Sequence, residues 1–158
     1  MTKPQKKFML AAIEEAYKAK KTGNYAIGAV LVKDDKIITR SPNITRTAGD
    51  PTQHAELEVI RKALRRRKGK FLEGVILYTT HEPCPMCATA CVWVRLQGVV
   101  YGANMKDMEN FAKQHGSEKW RWRTVNIRAK EVFLKGYPKV ELKGNFMRDK
   151  CVKLFHSK

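Results

Sequence analysis

The sequence predicts an α/β fold in layers, with helices on both faces of one sheet. Three observations carry that reading. Extended apolar segments alternate with segments of helical periodicity along the chain. A length of 158 residues suits one core, because two independent cores would each be small. Apolar residues make up 43%, enough to fill that core and too many for a disordered chain. One domain over residues 1–158 is therefore expected, with no internal repeat, low-complexity tract or linker rich in Gly, Pro or Ser to divide it.

The elements follow in order. Phe8, Met9, Ala12, Ile13, Ala16 and Tyr17 recur at helical spacing and predict an amphipathic helix over about residues 5–21. Ile27–Val32 and Lys36–Thr39 are strand-like around an Asp34-Asp35 turn, and they read as a hairpin. Asp50-Pro51-Thr52-Gln53 has the form of a helix start: Asp50 as N-cap, Pro51 at the first helical position and Gln53 closing a capping box. That helix is expected to run to about Arg67, with cations at its negative C-terminal end. Val75–Thr79 reads as a buried strand, residues 85–96 as a helix, Gly98–Tyr101 as a strand and Lys106–Gln114 as a helix. Lys139–Leu142 is a closing strand and Phe146–Phe155 a closing helix, while residues 115–135 carry no firm signal.

Composition bears on partners. Thirty-two Lys plus Arg against 15 Asp plus Glu leave a formal charge of +17. Such an excess attracts polyanions through counterion release, and nucleic acid is the commonest of them; the plainer reading is that it only maintains solubility. No apolar run approaches the roughly 18–20 residues that span a bilayer, so no membrane partner is expected. The first residues are polar and no signal-peptide core follows. Four cysteines are too few for a disulfide scaffold, which points to a reducing cytoplasm.

Two fragments carry chemistry: His54-Ala55-Glu56, and Pro83-Cys84-Pro85-Met86-Cys87 at a strand-to-helix junction. Alone, the first is an ordinary helix surface, and the second a redox pair, half a structural zinc site or two packed thiols. Together they are specific. Cysteines at i and i+3 share one face of a helical turn, so both sulfurs reach one metal ion, and a helix N-terminus favours the thiolate form that binds it. Two thiolates and one imidazole make three protein ligands for Zn2+, the arrangement that leaves a position for water. A bound zinc lowers the pKa of water towards roughly 7. Glu56 is then available as a proton carrier. H-x-E followed by P-C-x-x-C is the known signature of zinc nucleobase deaminases. A four-ligand structural site would need Cys91 as well, which lies further along the helix and reads as a packed thiol.

On these residues, together with Ile27-Gly-Ala-Val30, Asn43, Asp50-Pro-Thr-Gln53, Leu77-Tyr-Thr79, Glu82 and Val100-Tyr-Gly102, the chain resembles the cytidine deaminase-like superfamily. Within it, the similarity is to the branch of bacterial tRNA adenosine deaminases and guanine or cytosine deaminases. The resemblance implies a three-layer α/β/α sandwich around a five-stranded mixed sheet, and a homodimer. It implies that His54, Cys84 and Cys87 hold one Zn2+ and that Glu56 moves protons from water to the ring nitrogen and then to departing ammonia. It also implies that Asn43, the Ala55 N–H and Ile27 contact the base; Asn43 reads equally as a turn residue, and Val30 as core.

The departure lies between Asn104 and Arg128, where Glu118–Thr124 replaces the stretch a tRNA adenosine deaminase would have. Trp120, Arg121, Trp122 and Arg123 have three readings: base stacking with phosphate pairing, a cover for the site or a subunit contact, or a lid over a free base. Arg65, Arg66 and Arg67 belong to a run of seven cations in residues 61–70, read as solvated charge or as a phosphate contact. His81 is expected to support the site or to lie on the surface.

The function expected is a zinc-dependent hydrolytic deaminase, converting adenosine to inosine in tRNA or another single-stranded nucleic acid. The alternatives are a metabolic deaminase of a free base or nucleoside (guanine, cytosine or cytidine) and, more remotely, a non-catalytic zinc-stabilised RNA-binding module.

Overall fold

The computed structural model describes residues 1, 3–115 and 125–157. Five strands form one sheet in the order β2-β1-β3-β4-β5: β1 (Gly28–Lys33), β2 (Lys36–Pro42), β3 (Ile76–His81), β4 (Gly98–Ala103) and β5 (Glu141–Lys143). β1 runs antiparallel to β2 and β3, whereas β3, β4 and β5 are parallel. The helices are α1 (Lys6–Lys21), α2 (Thr45–Ala48), α3 (Ala55–Arg66), α4 (Pro85–Trp93), α5 (Met105–His115), α6 (Ala129–Lys135) and α7 (Arg148–His156). The expected five-stranded mixed sheet between helical layers is present.

Strand periodicity sorts the side chains between two cores. Ala29, Leu31, Leu77 and Val99 pack with Val59 and Ile60 of α3, Ala88 and Cys91 of α4, and Phe133 of α6. Val30, Val32, Tyr78 and Val100 point the other way, against Phe8, Met9 and Ala12 of α1 and Leu154 and Phe155 of α7. Two glycines permit this closeness: a Cβ on Gly28 would lie 2.2 Å from the Ala12 carbonyl oxygen of α1, and one on Gly102 would lie 2.3 Å from Cys151 Sγ of α7. The β1–β2 turn places Asp34 and Asp35 at φ 47° and 58°, the left-handed pair that a two-residue hairpin requires.

The second long helix begins at Ala55, not at Asp50. Asp50 does cap, but it caps a turn: its Oδ1 accepts from both the N–H and the hydroxyl of Thr52 at 2.8 Å. The chain then stays extended through His54, at φ −69° and ψ 149°, before winding into α3. α2 and α6 went unpredicted, and each is held by long-range contacts: Asn24 Oδ1 accepts from the N–H groups of Arg46 and Thr47 on α2, and Glu82 accepts from Ala129 N on α6.

This topology collects several chain ends at one edge of the sheet. Gly28 opposes Pro42, and β3 closes at His81 on the same side. The N-termini of α3 and α4 follow there, outside the carboxyl end of a parallel strand, where open α/β sheets bind ligands.

Candidate active site

His54 and Cys84 occupy equivalent positions, each the N-cap residue of its helix. Pro85 at the first position of α4 starts that helix without losing an intrahelical hydrogen bond, and one turn brings Cys87 onto the face of Cys84. The His54 Nδ1 atom lies 3.6 Å from Cys84 Sγ and 3.5 Å from Cys87 Sγ. The three donor atoms all lie within 4.8 Å of one another. Bond lengths of about 2.3 Å to sulfur and 2.0–2.1 Å to nitrogen at a tetrahedral angle require an N···S separation of about 3.6 Å. The residues therefore fit zinc, and among the described residues no other His, Cys, Asp or Glu joins the group. Cys91 is fully buried in the α3–α4–α6 core, where burial pushes its thiol far up.

Electrostatics agree with this donor set. The Cys84 thiol is pushed down to about 4 by hydrogen bonds from Cys87 and His54, while Cys87, its buried partner in the shared proton, moves upward. Burial disfavours the His54 imidazolium, but the Cys84 sulfur bonded to it and the nearby Glu56 outweigh that effect and raise its pKa.

Glu56 lies in the first turn of α3 and is 3% exposed. Burial raises its carboxyl to about 7, against the opposing influence of His54. Its Oε2 atom is buried with no protein partner. An acid with a pKa near neutrality and an unpaired oxygen is suited to receiving and giving a proton.

The surrounding residues divide. Asn43 is 2% exposed and its Oδ1 accepts from the Thr45 N–H (3.2 Å) and hydroxyl (2.9 Å), so the turn role is real. Asn43 N donates to the Ile27 carbonyl, and Ile44 N to Gln53 O, which places both Asn43 and Ile27 alongside the His54 segment. Ala55 is buried at the first position of α3. Arg65, Arg66 and Arg67 are exposed at the far end of the helix, roughly 18 Å along its axis from His54. There Arg66 donates to Ile38 O and Lys62 to Arg40 O, beside a groove of about 290 Å³ against the edge strand β2. Trp120, Arg121, Trp122 and Arg123 lie outside the described residues. His81 is not at the surface and is outside the donor group: it is buried and packs on Phe155 of α7, ring centroids 4.7 Å apart and planes tilted by 58°.

Sequence reasoning treated Glu82 only as part of a motif. A carboxylate two residues before a ligand cysteine, at the end of a buried strand, is the signal that could have singled it out.

The family model for the cytidine and deoxycytidylate deaminase zinc-binding region matches residues 2–103. The chain belongs to this family. The match contains all three donor residues and Glu56 and ends where α5 is about to begin. A tRNA-specific adenosine deaminase of Bacillus subtilis (strain 168) is 47% identical over 96 residues, 61% of this chain and 60% of the relative. One from Aquifex aeolicus (strain VF5) is 42% identical over 96 residues, 61% of this chain and 64% of the relative, so these alignments span under two thirds of either protein. A guanine deaminase of Bacillus subtilis (strain 168) is 48% identical over 80 residues, about half of each chain. Among solved structures, one from a study of tRNA:A34 deaminases aligns with a TM-score of 0.74 and 29% identity, covering 95% of this chain and 99% of that one. Family membership and the donor geometry together assign zinc as the cofactor.

Proposed function

We propose that this protein is a zinc-dependent hydrolytic deaminase that converts a ring amino group to a carbonyl, acting on adenosine within tRNA or another single-stranded nucleic acid. The observation that carries the chemistry is the unpaired, buried Glu56 carboxyl beside three converging zinc donors. A purely structural zinc site, as in a binding module, has no use for such a group.

Zinc, when bound by His54, Cys84 and Cys87, supplies a Lewis acid that makes water nucleophilic near neutral pH. Glu56 takes one proton from the attacking water and passes it to the ring nitrogen; it then takes the remaining proton of the added hydroxyl, as the carbonyl forms and the C–N bond breaks, and gives it to the amino group, which leaves as ammonia. Asn43 would use its Nδ2 group for the base while Oδ1 holds the turn, and the Ala55 N–H, at the first position of α3, would donate to the base. Ile27 supplies an apolar wall. These residues fix the base in register with the acid, the positioning that catalysis needs.

Support for a polyanionic substrate comes from the net charge of +17 and from the tRNA-specific relatives. The exposed Arg65, Arg66 and Arg67 at the end of α3 would meet phosphates some distance from the reacting base. A free-base or nucleoside substrate is the second reading, favoured by the guanine deaminase relative and by the sequence departure between Asn104 and Arg128. The assignment of residues 1–158 to one deaminase domain, the homodimer and a cytoplasmic location belong to the same proposal. No helix among the described residues is long and apolar enough to cross a membrane.

Side-by-side assays of a tRNA anticodon stem-loop, free adenosine, guanine and cytosine test the proposal. The stem-loop should be turned over at least 100-fold more efficiently, with KM rising steeply as salt is added. Efficient, salt-insensitive turnover of free guanine would establish the second reading instead.

A further inference from the structure

We infer that Glu82 is a positioning residue for Cys84, holding the zinc-binding loop in place from behind by joining three separate elements. The inference rests on the assignment of zinc to His54, Cys84 and Cys87. The Glu82 side chain is 2% exposed. Its Oε2 accepts from Met105 N, at the start of α5, at 2.8 Å. Its Oε1 accepts from Ala129 N, at the start of α6, at 3.1 Å, and from Arg128 Nε at 3.1 Å. Arg128 also pairs with Oε2 at 2.9 Å, and Glu82 N donates to Ala103 O at the end of β4. The buried carboxylate is thus fully partnered, the condition under which a charge is tolerated inside a protein.

The clamp is connected to the zinc donors by a stiff piece of chain. Pro83 separates Glu82 from Cys84, and Pro85 follows Cys84. A proline ring fixes its own φ and confines the preceding residue to extended backbone, and Cys84 does sit at φ −63° and ψ 167°. A shift of Glu82 is therefore passed to the Cys84 sulfur, because the intervening backbone has little freedom to absorb it. Glu82 lies inside the family match, while Met105, Arg128 and Ala129 lie beyond its end at residue 103. The residue joins the shared zinc centre to the part of the chain that the match does not cover.

Zinc affinity, measured by competition with a chromophoric chelator, tests this directly, with the thiolate-to-metal absorption of the cobalt-substituted protein as a second readout. Gln at position 82 keeps the shape but turns an amide N–H2 toward backbone and guanidinium donors. Glu82→Gln should weaken zinc binding 10–100-fold, the range seen when a supporting partner of a ligand is removed, and should alter the cobalt spectrum. Arg128→Ala, at a partly exposed position, removes one partner and should give a smaller loss in the same direction; it serves if Glu82→Gln fails to fold. Asp107→Asn is the control. It disrupts another acidic clamp, between Asp107 of α5 and Arg148 of α7, and should leave zinc affinity within threefold of the parent. Unchanged affinity in the Arg128→Ala and Glu82→Gln proteins overturns the inference, as does an equal loss in Asp107→Asn. A parent protein that binds no zinc would overturn the metal assignment itself.

Discussion

Glu56 and His81 are buried titratable residues with one unpartnered polar atom each, Oε2 and Nε2 respectively, yet they belong to opposite kinds of site. Burial pushes the acid up to about 7 and the base down to about 3, the same desolvation acting on groups of opposite charge type. The difference lies in the neighbours. Glu56 adjoins polarisable donors that gather around a common centre, so its neutral pKa is usable. His81 packs on an aromatic ring beneath α7 and bonds through Nδ1 to Thr80 Oγ1 at 3.2 Å. Desolvation alone does not separate the two residues; the His54 and Cys84 side chains beside Glu56 do, and they suit it to the proton-carrying role proposed for it.

The largest expected effect comes from Glu56→Gln. It should lower kcat by 10²–10⁴, the range for loss of a general acid–base group, with zinc stoichiometry and secondary structure retained. Deamination at the parent rate would remove Glu56 from the mechanism and erase its contrast with His81.

His81 should instead show itself in stability. Its folded pKa lies below the unfolded value of about 6.5, so below pH 6.5 the unfolded chain takes up a proton that the native state refuses. Stability is full above that pH and falls as pH drops toward 3, by about 2 kcal/mol at pH 5 from this residue. Denaturant titrations of the parent and His81→Phe at pH 7 and pH 5 would isolate that share. Identical pH dependence in the two proteins would mean that His81 does not stay neutral in the fold.

The smallest effect is expected at Cys91, a fully buried thiol near the donors. Cys91→Ala should cost about 1 kcal/mol through lost packing and leave one zinc per chain. A fall in zinc content would make it a fourth ligand.

Much of this was legible in the sequence. The 3.6-residue period of α1, the hairpin and the two short motifs named the layers and the centre, because those signals are local. What escaped was set by distant partners. α6 has Arg128 at its N-cap, a residue with no capping tendency; its only local signal is Glu131, which accepts from the Arg128 N–H, and its start is also bonded to Glu82, 46 positions earlier. α2 is only four residues long and is pinned by Asn24. The start of α3 was misplaced because Asp-Pro-Thr encodes an Asx turn as readily as a helix cap. That error matters for chemistry: it leaves His54 on extended backbone at the mouth of α3, not wound within it.

The placement of His54 and Cys84 has a thermal consequence. Both stand just outside their helices, thirty residues apart in the chain, so a shared ion would act as a stitch far stronger than the sulfur–imidazole hydrogen bonds between the two segments. An ion held by the native state alone raises unfolding free energy by about 4 kcal/mol when present at a thousand times its dissociation constant. Chelation should therefore lower the melting temperature as well as abolish the proposed deamination, tying the lifetime of the molecule to its metal supply.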